Sequence, residues 1–178
     1  MTSMSDTPPR DPPSPFVTEW IARLRGDLPP RRRALDVAMG RGRHLPPLAA
    51  TGCSLFGVDI DSDAVHAAVA RGVPVRAWVA DLTTFPLPAR WFDVVVVTRY
   101  LQRDLFPALE HTLTNGGLLL YETFLAEQRR HGSGPTSPDH LLHSNELRER
   151  LAGLETMFYE EVMEPDAVAR IVARRVSS

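Results

Sequence analysis

Short apolar runs recur along the chain, separated by stretches whose apolar residues fall at helical spacing. The runs lie at about 33 to 38, Leu55 to Val58, Val75 to Ala80, Val94 to Val97 and Leu118 to Tyr121. Each has the length of a strand, and the four valines Val94 to Val97 show no alternation, as a strand covered on both faces requires. Phe16, Val17, Trp20, Ile21 and Leu24 predict an amphipathic helix over 16–25, ended by Gly26 and Pro29-Pro30. A second helix starts near Gly42, with Pro46 and Pro47 in its first turn, where a missing N–H costs little. Val65, Ala68 and Val69 predict a third, capped by Asp61 or Ser62 and stopped by Gly72. Leu101, Leu105, Leu109 and Leu113 step by four and predict another. Ser144 is placed as the cap of a helix bearing Leu147 and Leu151.

The tail, about 155 to 176, reads as two strands, because β-branched residues favour strand over helix at Ala167 to Val176. Asn115-Gly116-Gly117 is read as a turn before the fifth run. Regular alternation of strand and helix argues for an α/β, Rossmann-like fold, a parallel sheet with helices on both faces. Residues 1–15 hold Pro, Ser, Thr and Asp with almost nothing apolar and read as disordered, leaving a single domain over 16–178. Ala126 to His143 dissolves into Arg, His, Gly, Ser and Pro, a loop long enough to be functional.

Composition narrows the chemistry. The chain has 178 residues and a net charge of -2, which fits one domain and gives no broad basic surface for a nucleic acid. One cysteine, Cys53, excludes an internal disulfide and an all-cysteine metal site. The 20 basic residues are all arginine, so Schiff-base chemistry and lysine-containing phosphate loops drop out. No apolar run is long enough for a membrane span and no signal-peptide core is seen, so a cytoplasmic protein is expected.

The candidate chemistry lies at the ends of the first three strands, each of which ends on an acid: Asp36, Asp59 and Asp81. In a parallel sheet those ends share the edge where α/β folds bind ligands. After Asp36 comes a turn in which Gly40 and Gly42 allow close approach of a ligand, followed by a helix start. An ordinary strand-to-helix turn reads the same way. Asp59 can accept from both hydroxyls of a ribose, while Asp61 reads as a helix cap. Asp81 is either an acceptor for an adenine amine or a turn residue. A dinucleotide fingerprint would want glycine where Leu45 stands, which argues against a nicotinamide oxidoreductase.

The ordered set Leu-Asp-Val-Ala-Met-Gly-Arg-Gly-Arg (35–43), Gly-Val-Asp (57–59), Ala-Asp-Leu (80–82), Phe-Asp-Val-Val-Val-Val (92–97) and Leu-Thr-Asn-Gly-Gly-Leu-Leu-Leu (113–120) resembles the class I S-adenosylmethionine-dependent methyltransferases. The Gly-Arg-Gly-Arg turn and the Tyr-Glu-Thr-Phe strand ending look most like small bacterial members of the tellurite-resistance type. The resemblance implies a mostly parallel seven-stranded sheet with its last strand antiparallel. It implies S-adenosyl-L-methionine as cofactor and S-adenosyl-L-homocysteine as product. Asp36 would hold the ammonium, Ala38, Gly40 and Gly42 would line the methionine and ribose, and Asp59 with Ile60 would meet the ribose. Asp81 and Leu82 would face adenine, and Thr98 closes the set. Arg43 is the candidate partner of the methionine carboxylate, with a solvated helix arginine as the alternative. Two residues depart from the family pattern: Ala38 stands where the first glycine of the turn belongs, and Asn115 stands for a proline.

No catalytic base is assigned. The acceptor-side candidates are Arg99, Tyr100, Tyr121 and Glu122. Arg99 either attracts an anionic acceptor or pairs with Glu122, and the tyrosines are read first as packing residues. His131, His140 and His143 match no familiar zinc spacing, and no metal is assigned. Thr98-Arg99-Tyr100-Leu101 stands where amino-methylating enzymes of nucleic acids carry a Pro-Pro-aromatic signature, so a small-molecule acceptor is expected, anionic or soft, such as a thiol or oxyanion. The alternative is a cofactor-binding module without chemistry, acting as a partner or sensor.

Overall fold

The computed structural model describes residues 11–24 and 32–176. The first ten residues and the helix stop expected at Gly26 and Pro29-Pro30 lie outside these. Seven strands are present: β1 (Arg33–Val37), β2 (Ser54–Asp59), β3 (Val75–Val79), β4 (Phe92–Thr98), β5 (Leu113–Phe124), β6 (Glu155–Val162) and β7 (Val168–Arg174). They form one sheet in the order β3-β2-β1-β4-β5-β7-β6. β1 to β5 run parallel, and β7 is antiparallel to both β5 and β6.

The valine run explains the layering. Val95 and Val97 join Leu35, Val37, Phe56 and Val58 on one face. Val94 and Val96 join Ala34, Leu118 and Leu120 on the other. Side chains alternate across a strand, so an unbroken apolar run feeds two cores at once. The first face packs on α4 (Phe106–Thr112) and α5 (Glu146–Arg150) through Leu109 and Leu147. The second packs on α1 (Pro15–Leu24), α2 (Leu45–Ala49) and α3 (Ser62–Val69) through Phe16, Val17, Ile21, Leu45, Leu48, Val65 and Ala68.

Several expected elements are corrected. Leu101 to Leu113 is not one helix: a 3-10 turn at Arg103–Leu105 precedes α4, and Leu113 already opens β5. All four leucines are buried, so the four-residue step reflects a shared core rather than a shared helix. Asn115-Gly116-Gly117 lies inside β5, at a register shift against Phe92 and Val94. Ser144 does not cap α5. Asn145 holds the N-cap position, in left-handed backbone and without a side-chain cap bond, while Ser144 donates to Glu161 Oε2 at 2.8 Å.

Residues 126–143 are no free loop. They hold two 3-10 turns and a parallel bridge from Leu142 to Leu125. Gln128 is fully buried, donates to Asp166 Oδ1 at 3.0 Å and accepts from Ala167 N at 2.6 Å. Arg103 reaches Leu141 O at 2.9 Å and Glu146 Oε1 at 2.7 Å, pinning the far end.

Gly42 closes the turn between β1 and α2 tightly. Gly42 has φ +71, and a Cβ there would lie 2.6 Å from Leu45 Cδ1 and 2.9 Å from Ala68 Cβ. Gly42→Ala therefore combines a left-handed backbone with overpacking, and a loss of about 2–4 kcal/mol is expected in urea denaturation. An unchanged midpoint would contradict this packing.

Candidate functional site

Parallel pairing sets Asp36 of β1 beside Gly57 of β2 and Val96 of β4, at the centre of the sheet. Its side chain is 1% exposed, and neither carboxylate oxygen has a hydrogen-bond partner among the described residues. Burial raises its pKa to about 7, with Arg43 opposing and Asp59 adding to the rise. A carboxylate placed there without a donor is costly, and such a group marks a functional position.

His44 stands beside it, also 1% exposed, with Nδ1 3.8 Å from Asp36 Oδ2. Ser14 N–H donates to His44 Nε2 at 3.1 Å, so Nε2 carries the lone pair and Nδ1 the proton. Burial and then Arg43 lower the His44 pKa to about 3, so the ring is neutral and faces Asp36 with an N–H. It brings no charge to the acid.

The turn after β1 is built from left-handed residues. Ala38 has φ +51 and Gly40 φ +53. For alanine that backbone costs about 1 kcal/mol or more, which the family's usual glycine would avoid. A Cβ at Gly40 would meet nothing within 4 Å, so the turn leaves open space there. Gly40 N–H donates to Asp59 Oδ2 at 2.7 Å, and Asp61 N–H donates to Asp59 Oδ1 at 2.9 Å. These bonds fix the Asp59 carboxylate and leave a lone pair on each oxygen for a ligand. Asp61 caps α3, accepting from Asp63 N and Ala64 N.

The other expected contacts sit farther along the edge. Ile60 is exposed beside Asp59, and Leu82 is buried. Asp81 accepts from Thr83 N at 2.9 Å and Thr83 Oγ1 at 2.7 Å, all on Oδ1, so it serves a turn while Oδ2 stays free. Those bonds lower its pKa. The Leu82 carbonyl accepts from Gln102 Nε2 at 3.2 Å, and Gln102 in turn accepts from the Tyr100 hydroxyl.

Arg43 is buried rather than solvated. It donates to Thr98 Oγ1 at 3.0 Å and to Asp11 Oδ1 at 3.1 Å. A cavity of about 170 Å³ lies here, lined by Asp11, Ala38, Met39, Gly40, Arg41, Arg43, Thr98 and Arg99. A second, of about 200 Å³, is bordered by Pro12, Ser14, Arg43, Arg99, Glu122, Phe124 and Arg170 among others. The two cavities share Arg43 and Arg99, and the turn after β1 and the tip of β4 line the first; Asp36, Asp59 and Asp81 line neither.

On the acceptor side two expectations change. Arg99 does not pair with the Glu122 side chain: its guanidinium lies 3.5 Å from Asp11, and only its backbone N–H reaches Glu122 O, at 2.9 Å. Glu122 pairs with Arg170, 2.6 Å away, because β5 and β7 set the two residues opposite each other. Tyr121 is 1% exposed and donates to Tyr100 O at 2.8 Å; burial pushes its pKa far up, so it is a packing residue. His131 bonds Pro165 O at 3.0 Å. Among the described residues no group of three or more His, Cys, Asp and Glu could hold a metal ion.

Three residues of the site escape sequence reasoning. Asp11 and Ser14 fall in a stretch read as disordered, yet Ser14 is buried and Asp11 holds two arginines. Arg43 and His44 lie some 30 residues from their partners and Arg99 much farther, at no recognisable spacing. His44 follows Arg43 directly, but nothing in the sequence shows it turned back on Asp36.

The Asp36 shift has a testable sign. Its folded pKa of about 7 lies above the ordinary value of 3.8, so the folded state binds the proton more tightly. The Asp36 contribution to stability is then fully present below about pH 4 and is lost as pH rises towards 7. Asp36→Asn is expected to gain stability over wild type across that interval, by about 2–4 kcal/mol, and to hold a constant gain above it. Denaturation at pH 5 and pH 8 checks this. An equal difference at both would contradict a raised Asp36.

The methyltransferase domain family matches residues 34–117. An S-adenosylmethionine-dependent methyltransferase from Mesorhizobium loti is 20% identical, with a TM-score of 0.71, over 89% of this chain and 98% of its own. The [4+2]-cyclase SpnF is 18% identical, with a TM-score of 0.73, over 91% and 80%. TehB from Haemophilus influenzae is 16% identical, with a TM-score of 0.69, over 88% of this chain and 62% of its own. At such identities the structural likeness shows the fold. No curated protein matches significantly in sequence. The match to the methyltransferase domain family over residues 34–117 and the sheet order together give the chain a Rossmann-like methyltransferase fold.

Proposed function

We propose that the protein is an S-adenosylmethionine-dependent methyltransferase that acts on a small-molecule nucleophile in the cytoplasm. The observation that carries this reading is Asp36: two buried carboxylate oxygens, without a partner, beside an open glycine turn. A buried acid of this kind asks for a ligand cation. The neighbouring groups fit the remaining parts of the cofactor. Asp59 is oriented by two backbone donors with acceptor capacity to spare for ribose hydroxyls. Asp81 Oδ2 stays available for the adenine amine beside Leu82. Arg43, held by Thr98, suits a carboxylate. When bound, S-adenosylmethionine supplies an electrophilic methyl group on a sulfonium, and S-adenosylhomocysteine remains after transfer.

The chain's own contribution is alignment and charge. Asp36 anchors the ammonium, Asp59 and the turn fix the nucleoside, and the β4 and β5 tips bound the acceptor. Alignment alone can supply much of the rate of a displacement. The acceptor candidates hold no free base. Glu122 is tied to Arg170, Tyr121 to Tyr100 O, and the Tyr100 hydroxyl to Gln102. Burial also raises the Tyr100 pKa. An acceptor already anionic or carrying a lone pair, such as a thiolate or an oxyanion, needs no base. The balanced charge of the chain and the absence of the amino-methylating signature leave no support for a nucleic-acid acceptor.

The lack of a base also supports a second reading, a cofactor-binding module without catalysis. Calorimetry and a methyl-release assay over thiols, oxyanions and amines separate the two. Turnover with thiols or oxyanions is expected; binding without any turnover would favour the module. Asp59→Ala is expected to weaken S-adenosylhomocysteine binding by about ten-fold or more, since it strands two ribose hydroxyls. Unchanged affinity would contradict the placement of the ribose.

A further inference from the structure

The arrangement of Arg43 and Arg99 is that of a site already filled. Both guanidinium groups approach one oxygen, Asp11 Oδ1, at 3.1 and 3.5 Å. Arg43 is held independently of Asp11, whereas Arg99 is fixed at its backbone and its half-exposed guanidinium meets Asp11. Arg43 is held through Thr98 Oγ1 at 3.0 Å. Arg99 sits in left-handed backbone with φ +54, and its N–H is fixed on Glu122 O at 2.9 Å. A non-glycine residue kept in that conformation stores strain, as residues at ligand clamps do.

The group that fills the fork is held far less firmly. The Asp11 side chain is 52% exposed. Pro12 and Pro13 follow it and have no N–H to donate. The next firm attachment is Ser14, buried, with its N–H on His44 Nε2 and its carbonyl accepting from Thr18 N at 2.9 Å. Asp11 to Pro13 is therefore an arm pivoted at Ser14, and the Asp11 carboxylate ties it to the two arginines. The arm borders both cavities of the site, and each cavity is smaller than the roughly 300 Å³ at which ordinary ligand pockets begin.

We propose that Arg43 and Arg99 together form a carboxylate subsite and that Asp11 is its internal occupant, displaced when a ligand carboxylate enters. The proposal rests on the reading above, in which that carboxylate belongs to the amino-acid end of the cofactor. The exchange swaps one carboxylate for another, so the fork keeps its charge balance. Asp11 lowers apparent affinity for any ligand that uses the fork and leaves others untouched. A fraction of the molecules has the fork filled, and apparent affinity falls by the fraction left open.

The test uses the full chain with Asp11→Asn, an exposed substitution that leaves the core intact. Calorimetric titration compares S-adenosylhomocysteine with its decarboxylated amine analogue, which keeps the nucleoside and the ammonium. Asp11→Asn is expected to bind S-adenosylhomocysteine about five-fold tighter than wild type, the scale of an exposed ion pair. The analogue is expected to gain nothing, and Asp11→Glu to behave like wild type. Unchanged or weaker S-adenosylhomocysteine binding by Asp11→Asn, with both compounds still bound, would overturn the internal occupant while leaving the cofactor reading in place. Binding of neither compound by wild type or variant would overturn the cofactor reading and the subsite with it.

Discussion

A carboxylate without a donor, sealed at the middle of a parallel sheet, is the constraint around which this site is built. Asp36 is flanked by strands on both sides and covered by the turn that follows it, so water does not solvate it. The neutral His44 ring gives it no counter-charge, and Asp59 raises its cost further. Only Arg43 opposes that cost. A fold that needed stability alone would place an apolar residue here, as it does at Leu35 and Val37 on either side. The strand-tip edge, the left-handed turn and the fixed Asp59 all gain meaning as surroundings for a cation that Asp36 lacks in the protein itself.

The acceptor side follows a different logic. Its walls are held by groups that are fully engaged: the Glu122–Arg170–Glu160 ladder across β5, β7 and β6, the buried Gln128, and the Arg103–Glu146 pair. The segment 126–143 is fastened at both ends. The weakly held part is Asp11, half exposed against the two arginines. Rigid walls and one loosely pinned arm set where the site can open.

Much of this was legible in the sequence, for reasons that can be named. The valine run could only be a strand with two covered faces. The acids were expected at three strand ends, and only Asp59 ends its strand: β1 runs one residue past Asp36, and β3 stops two residues before Asp81. β-branched residues decided β7 correctly. The failures share a cause as well. Leu101 to Leu113 are buried together without being helical together, because Pro107 starts α4 late and β5 claims Leu113. Ser144 looked like a cap until Glu161, on another strand, took its hydroxyl. Arg99 and Glu122 are neighbours at the strand tips, yet strand pairing gave Glu122 to Arg170. Asp11 and Ser14 carry no periodicity. Their roles come from contacts across the fold, which composition does not encode.

The account stands most directly on the charge state of Asp36. At pH 6.5 the acid is largely protonated, and an incoming cation must turn it into a carboxylate, expelling the proton. Titration of the wild-type protein with S-adenosylhomocysteine, run in buffers of different ionisation enthalpy, measures that proton. Release of about half a proton or more per ligand at this pH is expected, fading above pH 8 and missing in Asp36→Asn. Binding with no proton released, at every pH and in both proteins, would contradict the assignment of Asp36 as the acid that waits for a cation.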